Sequence, residues 1–301
     1  ELNLIPTPPG TPVGDGTISM ADMERMQADV NQMEGKRLAP YFVAAVNAAQ
    51  AMGAPVQLSS LVNAGITDAT ARLAAWTYNT PAGFDTPGDP GTPTLQDLND
   101  SVATTIYNVA VGRLMNRTFD AKLAAAGIGY RQGTTEGVRG LIRLLTRMPF
   151  TGVGASGINF FDDTSVSLTA EQERDVILVK SLQDALNLLS GAGFAPAFAN
   201  STDLDDYLWG KVHYVIFNSF IDGDLNGSLI PGGGAYSIPP QPAVGFPPGM
   251  PADGARFTVD VANYGLRPTS ATGLSFGSGA NRRSVVEMET GAIVAKNVIP
   301  G

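Results

Sequence analysis

From Pro231 to Pro268 prolines recur every few residues and flank the run Gly232-Gly233-Gly234. Each interior proline removes a helical hydrogen bond and collides with the preceding turn, so no helix of ordinary length fits there. Upstream of about residue 220 the pattern is different. Apolar residues recur at helical spacing through most of residues 17–218, broken by short Pro/Gly clusters. The 301-residue chain is therefore read as a helical region, 1–220, followed by a Pro/Gly-rich loop and C-terminal strands, 221–301. Together they form one intertwined α+β unit.

Within the helical region, residues 6–16 read as a loop. Ser19 is expected to cap a helix with Asp22 and Glu24 in its first turn. Met20, Met23, Met26, Val30 and Met33 would form its apolar stripe, read as ordinary core packing. This helix should reach about Gly35, and a second should run from Leu38 to about Met52. Leu58 to Trp76 is helical, with a break near residues 65–68 where Thr67 would cap the next segment. Residues 80–94 are a breaker cluster containing Pro81, Pro87, Pro90 and Pro93. Leu95 to Ala126 is a long amphipathic stretch, with two helices meeting near Arg117. Further helices are expected over Glu136–Met148, over Glu171–Leu189 with Thr169 as cap, and over Asp203–Asn218. Strands are expected over 256–260, 283–289 and 292–295, the first two alternating as a half-buried strand does. Two or three strands alone are marginal in water, so these should join a larger sheet that this sequence does not supply.

Lys plus Arg is 19 and Asp plus Glu is 28, a net charge of −9. No basic cluster is visible along the sequence, which argues against nucleic acid and against an anionic membrane surface as partners. No apolar run reaches the roughly 18 residues that span a bilayer. The first residues lack the basic start of a signal peptide. With no cysteine, disulfides, thiolate metal sites and a cysteine nucleophile are excluded within this sequence. Charged residues are 16%, low for a free-standing surface, which fits a chain partly covered by another, as well as an alanine- and glycine-rich composition.

Three local stretches fit known motif patterns. Residues 152–157 fit the dinucleotide pattern G-x-G-x-x-G, but no strand precedes and no helix follows, so this is a loop. Residues 273–277 fit the nucleophile-elbow pattern G-x-S-x-G. The one histidine of the chain, His213, precedes them, whereas that elbow needs a later one. Asp222, Asp224 and Asn226 stand at the first, third and fifth positions of an EF-hand-type loop, with Gly227 at the sixth. A glycine stands where the bidentate glutamate belongs, so a solvated turn is the first reading and a structural Ca²⁺ the second. His213 itself lies among Val212, Val215, Ile216 and Phe217. It is read as a packed histidine bonded to backbone or to a carboxylate, with Asp205 or Asp206 as the candidate partner.

Four stretches, taken in order, carry a resemblance. Residues 18–30 (Ile18-Ser19-Met20 through Gln27-Ala28-Asp29-Val30) form a capped helix. Leu73-Ala74-Ala75-Trp76 is followed, after a proline-rich segment, by Asp100-Ser101-Val102-Ala103. Leu182-Gln183-Asp184-Ala185-Leu186 is followed by Trp209-Gly210-Lys211-Val212-His213. Gly254-Ala255-Arg256-Phe257-Thr258-Val259 is followed by residues 279–287, ending Arg283-Ser284-Val285-Val286-Glu287. Together they resemble the C-terminal half of the β chain of the penicillin acylase family, N-terminal-nucleophile amidohydrolases. Trp76, Asp100, Ser101, Trp209, Gly210 and His213 are the structural motif positions of that resemblance.

The resemblance implies an αββα sandwich completed by an α chain and the remaining β-chain segment of the same precursor. It implies autoproteolytic processing, a periplasmic or secreted location, and no required cofactor. The implied reaction is hydrolysis of an N-acyl compound by an N-terminal Ser, Thr or Cys whose own α-amine is the base. A backbone N–H and an asparagine side chain would hold the oxyanion. Glu1 cannot serve as that nucleophile, and none of these catalytic residues maps onto this sequence. Two other readings stand beside it: a non-catalytic binding or scaffold protein of the same fold, and a helical calcium-binding module built on Asp222 to Asn226.

Overall fold

The computed structural model describes residues 20–84, 93–129, 134–147, 158–162, 167–216, 249–279, 283–287 and 294–298. Its helices are α1 (Met20–Gln27), α2 (Met33–Gln50), α3 (Val56–Ser59), α4 (Ala64–Ala75), α5 (Leu95–Met115), α6 (Ala121–Ala125), α7 (Thr134–Arg147), α8 (Ala170–Leu189) and α9 (Ala195–Phe198). Three antiparallel two-stranded ribbons follow: β1 (Tyr214–Val215) with β2 (Met250–Pro251), β3 (Ala262–Asn263) with β4 (Ser278–Gly279), and β5 (Arg283–Glu287) with β6 (Val294–Val298). The architecture is helix-rich α+β. Among the described residues no helix is long and apolar enough to cross a membrane.

Helix α5 is the axis of the core. From Asp100 to Met115 every residue except Arg113 is buried, so α5 lacks the one-sided apolar face of a surface helix. It packs on α8, on α4 and on the short turns after α9, while α2 packs on α8 and α4. Three of its buried polar side chains bond back one turn. Thr104 donates to Asp100 O at 2.7 Å, Thr105 to Ser101 O at 3.2 Å and Asn108 Nδ2 to Thr104 O at 2.9 Å. A capping box at Thr94 and Asp97 starts the helix. The chain at Leu266 crosses α5 so closely that a Cβ on Gly112 would lie 2.3 Å from Leu266 O; only glycine permits that crossing.

Several sequence expectations hold. Thr169 caps α8 through a capping box with Gln172, and α7 falls where Glu136–Met148 was expected. The junction near Arg117 is a π-helical turn, Asn116–Asp120, in which Ala121 N donates five residues back to Asn116 O. Arg117 binds Asp184 of α8 through both arms of its guanidinium, at 2.6 and 2.9 Å. Arg267 reaches Asp120 at 3.0 Å. Both charged residues of the turn are thus anchored to other segments.

Others are corrected. The first helix stops at Gln27 rather than near Gly35. Asp29 accepts Asn31 N in a side-chain turn at 2.8 Å, Asn31 bridges Asn79, and Gln32 N donates to Tyr78 O at 2.7 Å. The backbone of 28–32 is taken up by these contacts, and α2 begins at Met33. The methionine stripe is not core: α1 buries no residue and Met33 is exposed. Asn63, not Thr67, caps α4 by accepting Ile66 N at 2.9 Å, while Thr67 accepts Gln50 Nε2. Residues 256–260 form no strand. Phe257 takes φ +70°, and Thr258 Oγ1 donates to the carbonyls of Ala255 and Asp260, which closes a turn. Asp203–Asn218 is not a helix either. Its described part consists of short turns at Leu204–Asp206 and Trp209–Lys211, followed by β1.

Candidate functional site

The second and third stretches of the resemblance meet in space. Trp209 is fully buried. Its backbone N–H donates to Ser101 Oγ at 2.7 Å, and Ser101 Oγ donates to Ala82 O at 2.9 Å. Its indole Nε1 donates to Gly254 O at 2.9 Å. The ring stacks on His213 with centroids 4.6 Å apart and meets Tyr264 edge-on at 5.3 Å. One tryptophan thus ties together α5, the loop at Ala82, the segment at Gly254 and the turn before β1.

Gly210 follows for a steric reason. Its N–H donates to Ala82 O at 2.8 Å. A Cβ there would lie 2.7 Å from Phe84 Cδ2, 2.8 Å from Pro251 Cβ and 2.9 Å from Ala82 O. Gly210→Ala is expected to cost roughly 1–3 kcal/mol through overpacking, read as a lower midpoint in urea at unchanged slope.

His213 is fully buried. Its Nδ1 lies 2.7 Å from Leu274 O. A carbonyl only accepts, so Nδ1 carries the proton, and Nε2 is left as a buried acceptor without a donor among the described residues. The carboxylate partner expected from Asp205 or Asp206 is replaced by this carbonyl. Asp205 instead pairs with Arg72 at 2.7 Å and Asp206 with Lys211 at 3.7 Å. Burial pushes the imidazole pKa down to about 4. The folded protein thus binds one proton fewer than the unfolded chain between about 4 and 6.5. Stability from this group is full above the upper value and is lost as pH falls through the window. Its ring resonances are expected to remain those of neutral imidazole at about pH 5; an imidazolium spectrum there would refute this environment. A neutral, walled-in ring does not serve as a general base.

Asp100 and Trp76 form a second knot. Asp100 accepts Thr77 N at 3.0 Å, Gln96 Nε2 at 2.8 Å and the Thr77 hydroxyl. Trp76 Nε1 donates to Asn79 O at 2.7 Å, and its ring leans on Tyr107 and Tyr78 at centroid distances of 5.0 and 5.2 Å. The α2 backbone approaches that ring so closely that a Cβ on Gly35 would stand 2.7 Å from it. In both knots the bonded polar atoms are taken up by other groups of this chain, either backbone, as at Gly254 O and Asn79 O, or neighbouring side chains, as at Ser101 and Gln96.

Sequence reasoning missed a third group, which lies between the two knots. Glu34 is buried at the start of α2 beside Gln32, Asn108, Tyr107 and Tyr264. Gln32 Nε2 donates to Glu34 Oε1 at 2.5 Å and to Asn108 Oδ1 at 2.9 Å. Asn108 Nδ2 returns a bond to Gln32 Oε1 at 3.2 Å, and the Tyr264 hydroxyl also donates to Asn108 Oδ1. Glu34 Oε2 has no partner among the described residues. Burial, partly opposed by hydrogen bonds, raises the carboxyl pKa to about 8. The signal was present in the spacing: Glu34, Leu38 and Phe42 repeat every four residues on one face. Placing the helix boundary between Gly35 and Leu38 hid it.

Asp222, Asp224 and Asn226 lie outside the described residues, as do residues 152–157. Residues 271–274 form a single 3-10 turn and Ser275 Oγ donates back to Thr272 O at 2.8 Å, so the G-x-S-x-G segment has no elbow geometry. Among the described residues no group of three or more His, Asp or Glu side chains is placed to hold a metal ion.

The description "Penicillin amidase" belongs to the family model that matches residues 11–301. The chain belongs to the penicillin amidase family, whose members hydrolyse amides. No curated protein and no solved structure gives a significant match.

Proposed function

We propose that this chain is the helical portion of an N-terminal-nucleophile amide hydrolase that cleaves an N-acyl compound, with the nucleophilic Ser, Thr or Cys on a companion chain of the same precursor. The observation that carries the reading is the family match over residues 11–301. The chemistry of the buried groups supports it. The one histidine is desolvated and walled in, the sequence holds no cysteine, and both tryptophan Nε1 atoms of the two knots are used on backbone carbonyls. These are the properties of a scaffold for a reaction that needs no histidine, because the nucleophile's own α-amine takes its proton. In this reading the β5–β6 ribbon pairs with strands of the companion chain, completing an αββα sandwich. The enzyme is exported to the periplasm or secreted.

The test is denaturing intact-mass analysis of the purified enzyme, followed by assay on N-acyl p-nitroanilides with short, aryl and long acyl groups. A companion chain beginning with Ser, Thr or Cys is expected, and replacing that residue with alanine abolishes release of nitroaniline. A pure, folded preparation of this chain alone, or a companion without such a residue, overturns the proposal. A structural Ca²⁺ at Asp222, Asp224 and Asn226 is a separate expectation. Added Ca²⁺ raises the melting temperature, and Asp224→Ala abolishes the rise.

A further inference from the structure

Four of the nine methionines of the chain fall within residues 20–33. Elsewhere a methionine is either enclosed, as Met115 is in the core, or fully exposed, as Met52 is. Met20, Met23 and Met26 on α1 are neither: all three are half-buried. At about 100° per residue, Met23 and Met26 lie about 60° apart around the helix. They form the middle of its half-buried side, flanked by Met20, Asp22 and Gln27. Ala21, Glu24 and Arg25, on the opposite side, are exposed. The element on which α1 packs is β5, so the two thioethers face that strand while keeping an edge in solvent.

No residue of α1 is fully buried, and the apolar members of its half-buried side are the three methionines. A contact of that kind opens at little cost compared with the core. The chain just beyond the helix is tied down separately. Asp260 N donates to Asp29 O at 2.9 Å and Gln32 N to Tyr78 O at 2.7 Å. Those bonds lie downstream of Gln27, so α1 can leave β5 about this anchor while α2 and the core stay in place.

We propose that Met23 and Met26 are a reversible oxidation site, at which a peroxide forms sulfoxides that release α1 from β5. The thioether sulfur attacks one oxygen of hydrogen peroxide. An S–O bond forms as the O–O bond breaks, the sulfur giving up two electrons. The departing hydroxide takes the proton of the transferred oxygen and leaves as water. The product replaces a flexible apolar side chain by a polar one, which a methionine-rich contact does not tolerate. Methionine sulfoxide reductases, one for each epimer, reverse the change. Met52, whose thioether packs on nothing, is oxidised without structural consequence, and Met115 is shielded.

The experiment exposes the purified protein to hydrogen peroxide, follows the sulfoxide at each methionine by peptide mass spectrometry, and measures hydrogen exchange on the same samples. Met52 is expected to react first and Met115 last, with Met23 and Met26 between them. As Met23 and Met26 react, α1 should lose its protection from exchange while α5 keeps its own, and treatment with both reductases should restore α1. Met23→Leu/Met26→Leu keeps the helix face apolar and has no sulfur to oxidise there, so its α1 should stay protected under peroxide. Circular dichroism establishes that the variant folds. The proposal is overturned if Met23 and Met26 resist oxidation as Met115 does, or if α1 stays protected once both are sulfoxides. It is equally overturned if α1 of the leucine variant opens under peroxide as the wild type does, or if α1 already exchanges at the unfolded rate before treatment.

Discussion

Trp209→Ala is expected to lower the unfolding free energy by about 3–5 kcal/mol. The ring is fully buried, so truncation leaves a cavity between α5, the Gly254 segment and His213. It also removes the donor from Gly254 O and the stack from an imidazole whose Nε2 has no partner among the described residues. A buried acceptor left without a donor adds to the loss from packing. Trp209→Phe keeps much of the ring contact but still deserts Gly254 O, so it should fall between wild type and alanine. Urea denaturation checks both variants. An unchanged midpoint for the alanine variant would refute the hub role of this side chain.

The second large effect is a dependence of stability on pH that runs opposite to the usual carboxylate. Glu34 has its pKa raised from 4.5 to about 8. Between those values the folded protein keeps a proton that the unfolded chain has released, so stability falls as pH rises. At about 1.36 kcal/mol for each pH unit, the loss across the window is roughly 4–5 kcal/mol. Glu34→Gln has no proton to release, so its stability should rise with the His213 slope to about pH 6.5, stay level from there to about 8, and exceed that of wild type at about pH 9. His213 acts in the opposite sense between about 4 and 6.5. Where the windows overlap, from about 4.5 to 6.5, the two slopes cancel. Wild type should therefore show a plateau there and a decline above it, measured by urea denaturation at a series of pH values. A wild-type curve that stays level up to about pH 9 would place Glu34 in a far wetter setting than the fold gives it.

What was legible in the sequence was what local chemistry decides. Thr169 followed by Gln172 announces α8 because both halves of a capping box lie within four residues. The interruption near Arg117 was expected as the meeting of two helices and is the π-helical turn Asn116–Asp120. The stretch at Asp203–Asn218 was misread because its helical spacing is real but unused. Trp209 inserts beside His213, Gly210 N bonds to Ala82 O, and Ala252 N bonds to His213 O, so partners up to 128 residues away outbid a local helix (82 to 210). The Arg256–Asp260 alternation failed similarly. Thr258 bonds within its own turn, and Gly254 must approach Asp260 O, which a Cβ on Gly254 would meet at 2.5 Å. The candidate site residues were legible as a set. Trp209 and Ser101 share a hydrogen bond, Gly210 and Ser101 share Ala82 O, and Trp76 and Asp100 flank Thr77. Which groups their polar atoms bond is decided by the packing of distant segments, which spacing does not reveal.

The π-helical turn at Asn116–Asp120 is in effect an α-helix carrying one surplus residue. A single-residue deletion there would restore regular winding while leaving the helix beyond Asp120 in nearly its present orientation, because the wide turn already absorbs the surplus residue. Within the turn, however, one of the two anchors, Arg117 to Asp184 or Asp120 to Arg267, would lose its register. Residues 116–120 thus behave as a one-residue indel fixed in place from two sides. A relative that lacks the surplus residue should lack one of the two ion pairs as well.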